Sequence, residues 1–192
     1  RGAKAAGKPR IYNSSTPTSI GGQDSHESVS ELPLERILTA SRIHHRATGG
    51  GITGSSGEGL AGSITANGIH DIFQKANITG KHVLDLGAGD GRVLFQALAY
   101  GSASATGVEL PVNAGTQQYI VSATAERMSR VFQQVNFQRQ LLYIPKDIMS
   151  MHEIPHGVDY VYSFWVGFPI HVKQYILQLI AHSRVRRFTV YR

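Results

Sequence analysis

The chain has 192 residues, with 19 Lys and Arg against 13 Asp and Glu, and no cysteine. That length suits one α/β domain with a real core. The cysteine count excludes disulfides and thiolate metal sites and fits a reducing compartment. No run is apolar enough to span a bilayer, and the first residues contain no secretory apolar core. The net charge of +6 suits an anionic partner such as nucleic acid, nucleosome or membrane surface as readily as a plain basic soluble protein.

Residues 1–30 are rich in Gly, Ser, Thr, Lys and Arg and nearly devoid of apolar side chains. Such a segment cannot bury enough surface to offset its ordering entropy, so a flexible basic tail is expected. Arg1, Lys4, Lys8 and Arg10 suit weak phosphate contact. From residue 31 to about 46 the pattern turns helical, with Leu34, Ile37 and Leu38 at helix spacing. Ser30 can cap this helix, and Pro33 is tolerable in its first turn. His44 and His45 are adjacent, point to different faces and make a poor metal pair. Residues 49–62 form a long Gly-rich loop, of a kind that is usually functional or disordered. Its one acid is Glu58, so it reads either as a cover for a cationic cofactor or as a surface linker. Residues 31–62 are thus an N-terminal helix and loop, and 63–192 the main domain.

A helix is predicted over residues 63–77, with Ile64, Ile69, Ile72, Phe73 and Ala76 on one side. Then comes the stretch that organises the chain, residues 82–92. Its apolar run (Val83, Leu84, Leu86) reads as a buried strand, ends in Gly87, Gly89 and Gly91, and feeds a helix from Arg92 to Tyr100. A strand, a Gly-rich turn and a helix is how α/β proteins hold a nucleotide-like cofactor. A dinucleotide fingerprint needs Gly-x-Gly-x-x-Gly, and counted from Gly87 its third glycine is Arg92 instead. The strand also carries an acid, Asp85, two residues before the first glycine. A carboxylate there repels a diphosphate but suits a cofactor with an ammonium and a sulfonium, and S-adenosylmethionine is such a cofactor. Asp85 then lies near its methionine portion, with the turn (Leu86, Gly87, Ala88, Gly89, Gly91, Arg92) against its body. The plain alternative is a strand-turn-helix with no ligand.

A second strand over residues 105–110 carries Glu109, roughly two dozen residues after Asp85. In a doubly wound sheet an acid there meets ribose hydroxyls. A long helix is expected over residues 113–137 and a third strand over 141–144, followed by Asp147 and Ile148. Asp147 can accept a hydrogen bond from adenine's exocyclic amine, or simply form a turn. A fourth strand is expected over residues 158–164, running into Trp165, the only tryptophan. Trp165 and its aromatic neighbours suit either a rim for an aliphatic amine or a base, or plain core packing. The segment lacks Asp-Pro-Pro-Tyr, which argues against methylation of a base's exocyclic amine. A helix over 170–182 and a fifth strand over 187–191 follow, with Arg184, Arg186 and Arg187 read as a solvated turn. The alternation predicts a parallel sheet of order 3-2-1-4-5, whose fifth strand is left without the cover an edge normally has.

From residue 63 onward the sequence resembles the class I S-adenosylmethionine-dependent methyltransferases, on Asp85 to Gly91 together with Gly107, Val108 and Glu109. The resemblance implies a Rossmann-like fold whose C-terminal hairpin is missing here. Within that class it resembles the non-SET histone-lysine methyltransferases of the disruptor-of-telomeric-silencing type. There, a Gly-Glu loop covers the cofactor, which here is Gly57 and Glu58. The ribose acid matches Glu109 and the adenine-side acid Asp147. The family's Asn-Asn-Phe-x-Phe-Gly beside the lysine channel corresponds to Tyr162, Ser163, Phe164, Trp165, Val166 and Gly167, which keep the first Phe and the Gly and replace both Asn. Ser56 and Gly59 replace the family's Tyr and Thr around Gly-Glu. The resemblance therefore implies S-adenosylmethionine as cofactor, methyl transfer to a histone lysine on nucleosomes, and a nuclear location, a cytoplasmic one being the alternative. Phe164 and Trp165 would line the amine's approach, and Ser163 would orient it. RNA or small-molecule methylation, or a non-catalytic cofactor-binding module, stay open as alternatives. No membrane partner is expected, and the oligomeric state is left open.

Overall fold

The computed structural model describes residues 33–48 and 64–191. The readings of residues 1–30 and 49–62, including Gly57 and Glu58, lie outside the described residues. Five strands, β1 (His82–Leu86), β2 (Ser104–Glu109), β3 (Leu141–Pro145), β4 (Tyr160–Phe164) and β5 (Arg187–Tyr191), form one sheet of order β3-β2-β1-β4-β5. All four neighbouring pairs are parallel. The described helices are α1 (Pro33–Ala47), α2 (Ala66–Ala76), α3 (Arg92–Tyr100), α4 (Ala114–Val131), α5 (Phe137–Gln140) and α6 (Ile170–Ala181). This is a Rossmann-like, doubly wound α/β fold, in the strand order expected from the sequence. It follows because each right-handed crossover must lay its helix back on the sheet.

The central strands β1 and β4 bury both faces, and residues alternate between two cores. Val83, Ala105, Tyr143, Tyr160 and Tyr162 join one core with Ile37, Phe73, Leu94 and Phe95 of the helices. Leu84, Leu86, Val108 and Val161 join the other with Ile176, Leu179 and Ile180 of α6. The glycine at β2 is forced by packing: a Cβ on Gly107 would lie 2.6 Å from Leu94 Cδ1 and 2.7 Å from Ala88 Cβ. Helix ends follow local chemistry. Thr65 caps α2 by accepting the Gly68 N–H, and Asn77 closes it in the left-handed region.

Two expectations are corrected. The long helix over residues 113–137 ends at Val131. The Val135 N–H turns back to the Phe132 carbonyl at 3.0 Å, and Asn136 starts α5 by accepting the Arg139 N–H. In one continuous helix Phe137, five residues after Phe132, would point well away from it. The break lets both rings be buried, their centroids 5.9 Å apart. The fourth strand begins at Tyr160 rather than 158, because Asp159 turns its carboxylate to accept the His82 N–H at 2.9 Å.

Candidate functional site

The site is built where β1 ends and α3 begins. Gly87, Gly89 and Gly91 all have positive φ, of 87°, 55° and 79°, a conformation that costs glycine nothing and other residues a clash at Cβ. The turn's polar groups are held from two strands. The N–H groups of Gly87 and Ala88 both donate to the Val108 carbonyl, at 2.9 and 3.1 Å. The Gly89 N–H donates to Glu109 Oε2 at 2.7 Å, and its carbonyl lies 2.7 Å from the Tyr143 hydroxyl. That hydroxyl is also 2.7 Å from Gln117 of α4. Among the described residues, nothing lies within 4 Å of where a Gly89 Cβ would be. Arg92 opens α3, its N–H donating to Asp90 Oδ1 at 3.3 Å.

Acids surround this turn. Asp85 is only 2 % exposed, and its Oδ1 has no hydrogen-bond partner among the described residues. Burial first, then the carboxylates of Glu109 and Asp90, push its pKa well above the ordinary value. In register, Asp85 pairs with Gly107 on one side and Tyr162 on the other, so the tyrosines share its face. Burial and Asp85 raise the Tyr162 pKa, with Tyr160 and Tyr191 adding and the nearby Arg92 opposing. Tyr160 is pushed up to about 12, chiefly by burial, with the Asp85 carboxylate adding. A diphosphate would meet three carboxylates here. An ammonium would meet a buried carboxyl oxygen that lacks a donor. The residues therefore fit the methionine end of S-adenosylmethionine and do not fit a dinucleotide.

Beyond Asp85, the assigned residues divide. Glu109 reaches the turn, but its Oε2 is engaged by Gly89 and its Oε1 by the Leu110 N–H at 2.9 Å. Each oxygen keeps a further lone pair for a ribose diol. Asp147 is exposed and accepts the Met149 N–H at 2.9 Å, capping a short turn at Ile148–Ser150. Ile148 packs into the second core.

The end of β4 looks inward. The Ser163 hydroxyl, fully buried, donates to the Leu86 carbonyl at 2.8 Å. Its one proton is committed to tying β4 to the end of β1. Trp165, 4 % exposed, packs in the core beneath α6. Phe164 stacks on Tyr191, ring centroids 5.4 Å apart. The residue of this loop that reaches the Gly turn is Phe168, one of the aromatic neighbours of Trp165 in the sequence reading. A Cβ on Gly87 would collide with its ring.

No family model matches the chain, and no curated protein matches it. Solved structures do. The chain is similar to a Thermoplasma acidophilum protein at 14 % identity and TM-score 0.44, covering 74 % of this chain and 62 % of that one. It is similar to an RNA methyltransferase from Salinibacter ruber in complex with S-adenosylhomocysteine at 13 % identity and TM-score 0.43, covering 62 % and 69 %. It is also similar to magnesium protoporphyrin IX methyltransferase from Synechocystis at 14 % and 0.48, covering 79 % and 66 %. The chain spans less than two thirds of the first of these. Identities and scores this low speak to neither substrate nor reaction, and the fold rests on the strand pairing above.

The turn residues, Asp85 and Glu109 are thus brought together, Asp147 stands further along the same sheet end, and the β4 residues face a core. Trp165 continues the alternation of Val161 and Ser163 onto the α6 side, a parity signal that was readable in advance. For Tyr143 no local signal exists.

Proposed function

We propose that this chain is an S-adenosylmethionine-dependent methyltransferase domain. The observation that carries the reading is the buried Asp85 carboxyl, one oxygen without a donor, beside a turn of three positive-φ glycines. When bound, the cofactor supplies an electrophilic methyl group on sulfonium. Asp85 would receive its ammonium, Glu109 its ribose hydroxyls, and Gly89 leaves room for its body. The transfer is an in-line displacement that asks for positioning, desolvation and a neutral acceptor more than for a nucleophilic side chain.

For the acceptor, the resemblance supports a histone lysine on the nucleosome, hence a nuclear enzyme, with Ser163, Phe164 and Trp165 at the amine's approach. The commitment of the Ser163 proton to Leu86 and the burial of Trp165 favour the second reading, an RNA or small-molecule acceptor met by the loop around Phe168. The experiment is methyl transfer from radiolabelled S-adenosylmethionine, with nucleosomes, free histones and total RNA in parallel and Asp85→Ala as control. Label on a histone in nucleosomes, absent from the variant, supports the first acceptor; label on RNA supports the second. Failure to bind S-adenosylhomocysteine at all rejects the methyltransferase reading.

A further inference from the structure

One buried titratable side chain touches the Gly turn from outside the strand-helix alternation. His44, in the last turn of α1, is 3 % exposed. Its Nε2 lies 3.1 Å from the Asp90 carbonyl oxygen and 3.4 Å from Asp90 Oδ1. A carbonyl only accepts, so Nε2 carries the hydrogen in this contact. The imidazole also lies against Phe95 of α3, centroids 5.8 Å apart. Meanwhile Asp90 Oδ1 accepts the Arg92 N–H that opens α3. The strands hold the turn elsewhere: Val108 and Glu109 take the N–H groups of Gly87, Ala88 and Gly89, and Tyr143 meets the Gly89 carbonyl. Among the described residues, the Asp90 carbonyl, between the last two glycines, is left to His44.

The geometry points to His44 as a positioning residue for cofactor binding: its Nε2–H holds the Asp90 carbonyl, and with it residues 89–91, in the form that receives the cofactor. This deepens the reading of the turn as a cofactor site and rests on it for the word cofactor; the hold itself does not. It makes α1 part of the site, and by linkage the cofactor should steady the docking of α1 by the same factor by which that docking raises cofactor affinity. The competing account is that the imidazole merely fills space between α1 and α3. The Ser41 Oγ, which accepts from Gln96 Nε2 at 2.8 Å, docks the same two helices without touching Asp90 and supplies the control.

The test is hydrogen exchange of the ligand-free full chain, followed over residues 86–96, together with S-adenosylhomocysteine titration. His44→Phe keeps a ring and loses the donor, and His44→Gln restores a donor near Nε2. His44→Met, equally without a donor, replaces the Phe variant should that one not fold. Exchange at residues 89–92 is expected to quicken about tenfold in His44→Phe, which is what the loss of one hydrogen bond allows. The dissociation constant for S-adenosylhomocysteine is expected to rise by a similar factor. His44→Gln should return both towards the starting values, and Ser41→Ala should leave the turn unchanged. Unaltered exchange in His44→Phe overturns the proposal. So does equal loosening by Phe and Gln, which assigns the effect to ring packing, or equal loosening by Ser41→Ala, which assigns it to helix docking. Absence of S-adenosylhomocysteine binding by the unaltered chain overturns the functional reading instead, and the exchange data then decide the hold alone.

Discussion

Replacing Asp85 by Asn should make the ligand-free protein more stable, and increasingly so as the pH rises. The carboxyl is 2 % exposed with one oxygen unpartnered, and burial, Glu109 and Asp90 raise its pKa well above 3.8. The folded protein therefore holds this proton more tightly than the unfolded chain does. The stability that the protonated group lends is fully present below the unfolded pKa and is lost as pH rises through the folded one. Within that window the loss approaches about 1.4 kcal/mol per pH unit, and it levels off above the folded pKa. Asn does not titrate, so the difference between Asp85→Asn and the unaltered protein should widen with pH by up to that slope. Each kcal/mol corresponds to roughly 2–4 °C in melting temperature for a chain of this size. The assay is urea and thermal unfolding at pH 5, 6, 7 and 8 without ligand, where the groups not coupled to Asp85 cancel between the two proteins. Parallel stability curves would refute the reasoning. The same substitution should weaken S-adenosylhomocysteine binding by about tenfold or more, the contribution of a charge-assisted hydrogen bond. Binding to the unaltered protein should release a proton, measurable by calorimetry in buffers of different ionisation enthalpy.

Three further outcomes are expected. Gly107→Ala sets a methyl group 2.7 Å from Ala88 Cβ, and should cost about 1–3 kcal/mol by overpacking, read as a lowered urea midpoint; an unchanged midpoint means that α3 shifts freely. Gly89→Ala meets no neighbour within 4 Å but has a φ of 55°, so it should cost about 1–2 kcal/mol from the left-handed conformation, while S-adenosylhomocysteine affinity falls by more than the stability loss explains. Ser163→Ala leaves the Leu86 carbonyl without its donor and should cost about 1 kcal/mol of stability with cofactor affinity retained; a loss of methyl transfer without any loss of stability would return Ser163 to the acceptor.

The sheet order and the Gly-rich turn were legible because their causes are local. Three glycines at alternate positions after an apolar strand impose the turn, and the acid two residues earlier sets the sign of charge around it. Regular alternation of strand and helix, with one allowed crossover hand, then leaves few strand orders. Even the core position of Trp165 was implicit in the two-residue period of β4.

What the tertiary structure decided was which polar groups meet across the chain. Ser163 and Leu86 are 77 residues apart, and His44 and Asp90 are 46 apart. No periodicity announces either pair. The same holds for Phe168 over Gly87 and for Tyr143 at the Gly89 carbonyl. A hydroxyl that reads in sequence as available to a substrate finds a backbone carbonyl first, because burial leaves neither group water to bond with. By itself the sequence determined the fold, the turn and its charge; packing decided which side chains remain free to act on what enters it.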